Sequence, residues 1–167
     1  AKENSQVLII SKYALDCQPY NTSYTDVTWE SCTLRKWLNE SFLNAAFSAE
    51  EQAIIQSTNV SPDKNPKYDT DPDSATTDKV FLLSIDEAEK YFASDDARQC
   101  QPTAYAVENG AYVNKDNGNC WWWLQSPGGR QDYAVNVYND GSVGYGGNRV
   151  SGDIGCVRPA LWVNLES

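Results

Sequence analysis

The chain has 167 residues, 41% hydrophobic and 22% charged, which suits one globular domain large enough to bury a core. Its net charge of −10 comes without any basic stripe, which argues against nucleic acid and anionic membranes as partners, and no apolar run approaches the ~20 residues needed for direct membrane insertion. Histidine is absent, so a Ser-His-Asp triad, a Cys-His dyad and histidine metal ligation are excluded within this chain.

In chain order, Ala1 to Ser5 carries no signal-peptide pattern and leads straight into the strand-like Val7–Ile10, which predicts that upstream sequence has been removed. Leu15 to Val27 is polar and tyrosine-rich and reads as loop. A helix begins between Thr28 and Thr33, with Leu34, Trp37, Leu38, Phe42 and Leu43 on one face. Ser48 with Glu51 forms a capping box opening a second helix through Ile55, and Gln56 to Val60 is a candidate strand. Ser61 to Lys79 is a long polar loop rich in aspartate. Val80–Leu83 reads as a compact buried strand. Ser84 with Glu87 is a second capping box, with Ile85, Ala88 and Phe92 giving that helix its apolar side. Ser94 to Cys100 adds one more helical turn.

The last third reads as β. Trp121–Leu124 is a strand, stopped by Ser126, Pro127 and Gly128. Ala134–Tyr138 and Ser142–Tyr145 flank Asn139-Asp140-Gly141 and predict a hairpin. Val157–Val163 closes the fold, with Pro159 marking an edge or bulge. Helices first and a β meander last give an α+β class.

Four constellations could carry chemistry. Asp69, Asp71 and Asp73 alternate like the start of a calcium loop, but Ser74 and Val80 stand where the template needs Gly and Glu, so a solvated acidic loop is expected. The five cysteines contain no CxxC pair, and an odd number leaves one unpaired or bonded elsewhere; buried thiols are expected. Cys156 sits near Arg158, which could activate a thiol, but no base or second cysteine adjoins it in sequence, so packing is the expected role of both. Trp121 and Trp123 should face one way and Trp122 the other, with the core expected to take these rings ahead of a ligand platform.

The window from Gly129 to Cys156 points to binding over catalysis. It holds most of the chain's ten glycines, no Lys, Glu or Trp, and a single Gln, Gln131. Exposed β surface ordinarily uses Lys and Glu. Here Arg130, Tyr133, Asn136, Tyr138, Tyr145, Asn148 and Arg149 are expected in the exposed places, the residue types of a recognition surface.

TLRKWLN at 33–39, AFSAEEQ at 46–52, DKVFLLS at 78–84, CWWWLQSPG at 120–128 and VRPALW at 157–162 resemble a bacterial domain family of unknown function, frequent in gut bacteria. That family is similar to the C-type lectin-like fold, and some members resemble the variable proteins of diversity-generating retroelements. The resemblance implies one domain over residues 1–167, with two or three short helices on a small antiparallel, twisted sheet, a C-terminal β meander and long loops. It implies a non-enzymatic display domain without cofactor or metal, at the cell surface or secreted, recognising a protein or other macromolecule, a glycan included. In such proteins a reverse transcriptase rewrites adenines. Randomising the first two adenines of an Asn codon ending in a pyrimidine yields no Lys, Glu, Gln or Trp, which fits the window except at Gln131. The ligand-facing positions it implies are Arg130, Asp132, Tyr133, Asn136, Tyr138, Gly144, Tyr145, Asn148, Arg149, Ser151, Asp153 and Ile154. The sugar motif of calcium lectins is missing; Gln101-Pro102-Thr103 matches it only in part. The alternatives are a carbohydrate-binding domain, a thiol oxidoreductase using Cys156, and a structural domain of a surface protein.

Overall fold

A computed structural model describes residues 1–3 and 5–165. Its class is α+β, as the order of elements predicts. Strands β1 (Lys2–Glu3), β2 (Gln6–Ile10) and β10 (Ala160–Asn164) form one sheet. Strands β3 (Asp16–Cys17), β9 (Cys156–Val157), β6 (Trp122–Pro127), β7 (Tyr133–Val137) and β8 (Val143–Arg149) form a second, in that spatial order. A third, two-stranded sheet joins β4 (Thr58–Val60) and β5 (Thr76–Asp78). Among the described strands pairing is antiparallel except where Trp122 on β6 meets Cys156 on β9 in parallel, and an isolated parallel bridge joins Ala14 to Pro102, so the sheet expected to be antiparallel is mixed.

The helices are short and more numerous than the two or three expected. A rod runs through α1 (Thr33–Trp37), a π turn (Leu38–Phe42) and α2 (Leu43–Ala46). Then come α3 (Ala49–Ile54), α4 (Ile85–Tyr91), α5 (Asp95–Arg98) and α6 (Ala104–Glu108). Both capping boxes form. Ser48 Oγ accepts from the Glu51 amide at 3.3 Å while Glu51 accepts from the Ser48 amide at 2.8 Å, and Ser84 and Glu87 repeat the exchange at 3.2 and 2.9 Å. Each box satisfies two amides that a first helical turn leaves open.

Two further expectations need correction. Val80–Leu83 is buried throughout but is not a strand: Phe81 makes only an isolated bridge to Ala160. The Asn39 side chain takes the polar groups a ladder would use, accepting from the Lys79 and Val80 amides at 2.8 and 3.1 Å and donating to the Val80 carbonyl at 2.8 Å. The closing strand is two strands, split at Arg158 and Pro159, that belong to different sheets. Arg158 lies at the split, buried between Trp122 and Phe92 with its guanidinium 4.9 and 5.0 Å from the two rings. It donates to the Ser11 carbonyl at 2.9 Å and the Arg98 carbonyl at 3.3 Å, which makes it the structural arginine the sequence suggests. The core between these layers centres on Trp29, Trp122, Trp123, Tyr20 and Phe81.

Candidate functional site

Strand alternation divides the tryptophan triplet. Trp122 points into the core, where its indole donates to the Arg98 carbonyl at 3.1 Å and Phe92 meets it edge-on. Trp121 and Trp123 point to the other face of β6 and line one side of a pocket of about 300 Å³. Trp123 is nearly buried, its indole donating to the Gln18 carbonyl at 2.9 Å; Trp121 is half-buried and donates to Asn139 Oδ1 at 3.2 Å. With both indole donors engaged, the two rings offer the pocket apolar surface.

The remaining lining comes from the glycine-rich window: Tyr133 and Asn136 of β7, Asn148 and Arg149 of β8, and Gly152, Asp153, Ile154 and Gly155 of the following loop. The hairpin brings the first four together, with Tyr133 opposite Arg149 and Ala134 opposite Asn148. The loop is anchored from below by the Cys17 thiol, which donates to the Asp153 carbonyl at 3.2 Å.

Six predicted ligand-facing residues therefore line one cavity: Tyr133, Asn136, Asn148, Arg149, Asp153 and Ile154. Asn136 is not exposed as the sequence suggests. It is 1% accessible, and its Oδ1 accepts from Asn148 Nδ2 at 3.1 Å, while its own Nδ2 has no partner. Buried polar groups are nearly always paired, so this amide is the chemical peculiarity of the site.

The other predicted positions surround the pocket or leave it. Arg130 is exposed beside it, its guanidinium 5.2 Å from the Tyr133 ring and paired with Asp132 at 2.7 Å. Asp132 itself is buried, because it serves Arg130 and Tyr24; the Tyr24 hydroxyl first, then Arg130, hold its carboxyl below the usual range. Tyr138 packs edge-on against Trp121 at 5.4 Å and so buttresses the wall. Gly144 is buried under the Tyr138 ring, whose Cζ lies 2.6 Å from where a Cβ would stand, so a side chain there requires that ring to shift. Tyr145 projects elsewhere, bonded to Glu89 and covered by Lys67 3.7 Å from its ring; the Glu89 carboxylate raises its hydroxyl to about 12. Ser151 is half-buried in the turn after β8.

Tyr24 went unnoticed in the sequence, since a tyrosine in a polar loop carries no signal of its own. It approaches the site from the first third of the chain, its ring 5.2 Å from the Arg149 guanidinium. Arg149, whose pKa the Tyr133 hydroxyl and then Tyr24 raise further, forms no ion pair among the described residues. Asp153 also lacks one.

The other constellations are occupied structurally. Asp69 pairs with Lys64 at 2.6 Å, Asp71 accepts from the Asp73 amide, and Asp73 accepts from Thr28 Oγ1 at 2.8 Å. Among the described residues no group of three or more His, Cys, Asp or Glu is placed to hold a metal. All five thiols are unpaired and buried. The sulfur neighbours Cys120 and Cys17, together with burial, push the Cys156 thiol up, against the direction of an activated nucleophile.

No curated protein and no solved structure matches the chain. A family model described as a domain of unknown function, DUF6273, matches residues 4–165, and the chain belongs to that family.

Proposed function

We propose that this chain is a non-enzymatic ligand-binding module of C-type lectin-like architecture, carried at a cell surface or secreted, that recognises a macromolecule through its late β segment. One observation carries the reading: the window with recognition-type composition supplies most of the walls of a single aromatic-floored pocket whose buried Asn136 amide is unpartnered. Pockets that take ligands are mostly apolar with a few convergent polar groups, and Tyr, Trp and Arg are the residues that anchor interfaces. The window that builds this face contains no Lys or Glu. Retroelement diversification would explain that bias, and comparing the coding gene with a neighbouring template repeat tests it; mismatches unconnected with adenine would remove it.

The binding reading is tested by placing a photo-cross-linking phenylalanine analogue at the exposed Ile154, and in a second protein at Glu50 on α3, away from the pocket. Each is illuminated on intact bacteria and host epithelial cells. Discrete covalent adducts from position 154 alone are expected. Equal adducts from both positions, or none from 154, would overturn the proposal.

A further inference from the structure

We infer that four of the five cysteines form two disulfide-bonding pairs, Cys17 with Cys156 and Cys100 with Cys120, closed by a low-molecular-weight disulfide as the chain folds. This modification site lies outside the pocket walls and does not depend on what the pocket binds.

The sequence scatters these residues over most of its length, and the fold gathers their sulfurs into a buried file. The Cys156 sulfur neighbours those of Cys17 and Cys120, and the Cys120 sulfur neighbours that of Cys100. The file is no metal cage, since among the described residues no three such ligands converge. Cys32 stands apart: its thiol donates to the Trp29 carbonyl and caps α1 by accepting from the Arg35 amide at 3.4 Å.

The backbone assigns the partners. Cys17 on β3 stands directly opposite Cys156 on β9 in an antiparallel ladder. The two do not exchange amide bonds: the Cys17 amide donates to Asp16 Oδ1 at 2.7 Å and the Cys156 amide to the Trp121 carbonyl at 2.9 Å. The adjoining pair does bond, the Gln18 amide donating to the Gly155 carbonyl at 3.1 Å. Opposed residues of a non-hydrogen-bonded pair carry their side chains on one face, with Cα atoms about 4.5 Å apart, inside the span of a disulfide. Cys100 and Cys120 also lie side by side. The Cys120 amide donates to the Cys100 carbonyl at 2.8 Å, and the Cys120 thiol lies 3.4 Å from the same oxygen. A bond between Cys120 and Cys156 would leave Cys17 and Cys100 without partners at the two ends of the file. The end pairs use all four sulfurs and leave Cys32 as the odd thiol.

Each bond forms by exchange. One protein thiolate attacks the oxidant disulfide and releases a thiol; its partner's sulfur then attacks the mixed disulfide and releases the second. Two protein thiols become one disulfide, and the oxidant is reduced to two thiols that carry off the two protons. Cys17 is the most accessible of the four at 6%, so exchange belongs to the folding chain, before burial closes the site. The Cys17–Cys156 bond ties β3 to β9 beneath the pocket loop, where the reduced Cys17 thiol donates to the Asp153 carbonyl.

The full chain is denatured and reduced, then refolded with oxidised and reduced glutathione or with dithiothreitol alone. Each product is alkylated in denaturant and mapped by fragmentation mass spectrometry without reduction. Expected after oxidation are the 17–156 and 100–120 links, a single alkylated thiol at Cys32, and a Tm at least about 5 °C above that of the reduced protein. Cys17→Ser keeps a donor for the Asp153 carbonyl; it should retain the 100–120 link, free Cys156 for alkylation and lose about half of the rise, because the longer loop stays open. Either link missing, a 120–156 link, glutathione adducts or chain-to-chain bonds in place of the internal pairs, or an oxidised form that melts below the reduced one would overturn the inference.

Discussion

At Gly155 a single missing side chain lets the Trp123 ring lie flat against the loop that closes the pocket. A Cβ there would stand 2.6 Å from Trp123 Cζ2, and the ring is held in place by its indole bond to the Gln18 carbonyl and by Tyr20, which meets it edge-on. Gly155→Ala should therefore cost about 1–3 kcal/mol, as overpacking does, and urea denaturation monitored by tryptophan fluorescence would measure it. A cost near zero would mean that the loop moves freely and does not define the wall. At this scale the sequence was partly legible. Composition pointed to Tyr133, Asn148 and Arg149, the family resemblance added Asp153 and Ile154, and strand alternation placed Trp121 and Trp123 together; all seven line the pocket. It did not reveal that Asn136 is buried, because an Asn on a strand looks the same whether it meets water or is enclosed. Nor did it reveal Tyr145's departure from the site, since the pairing of β7 with β8 shifts register between Ala134 and Asn136 and an irregular ladder breaks simple alternation.

At the scale of elements, the helix caps were the most legible features because their chemistry is local. A Ser followed at the third position by Glu specifies its own hydrogen bonds. Val80–Leu83 was misread as a strand because its backbone partners are scattered beyond any local pattern: the Asn39 side chain, 41 residues away, takes the Val80 amide and carbonyl, Ala160 takes those of Phe81, and Gln125 bonds the Leu83 carbonyl. The second cap carries a pH signature. Burial pushes the Glu87 carboxyl up from its ordinary 4.5, against the pull of the Ser84 amide. The folded protein thus holds this proton more tightly than the unfolded chain. Stability falls as pH rises from the ordinary carboxylate range through the raised folded value. Gln at this position keeps the cap acceptor without the buried charge. It also places an amide near Gln125, whose Oε1 is buried without a partner and whose Nε2 lies 3.5 Å from Glu87. Glu87→Gln should match the parent near pH 4 and exceed it by a few tenths to about 1 kcal/mol at pH 7. Denaturation curves at both pH values check this; a variant weaker at pH 7 would show that the charge stabilises the cap.

Across the whole molecule, frame and face are carried by different residues of the same strands. On β6, Trp122 packs on Arg158 and Phe92, and through Arg158 it ties α5 and the segment after β2 to the central sheet. Its neighbours Trp121 and Trp123 face the pocket. At the end of β8 and on the loop after it, Arg149, Asp153 and Ile154 are exposed and Ser151 is half-buried, and none of the four forms an ion pair among the described residues. A binding surface that tolerates changed side chains requires this separation: stability must reside in residues the ligand never meets. Replacing Arg149, Ser151, Asp153 and Ile154 together by Ala should change stability by no more than about 1–2 kcal/mol, since surface substitutions stay within about 0.5 kcal/mol each. That corresponds to a few degrees in Tm for a chain of this size. Trp122→Ala alone removes a fully buried ring and strands the Arg158 guanidinium, and should cost at least about 3–5 kcal/mol. Calorimetry of the two variants beside the parent gives the comparison directly. A quadruple variant that melts as early as the single one would mean that the pocket loop helps hold the fold together, and a surface with that duty could not vary its side chains to change its ligand.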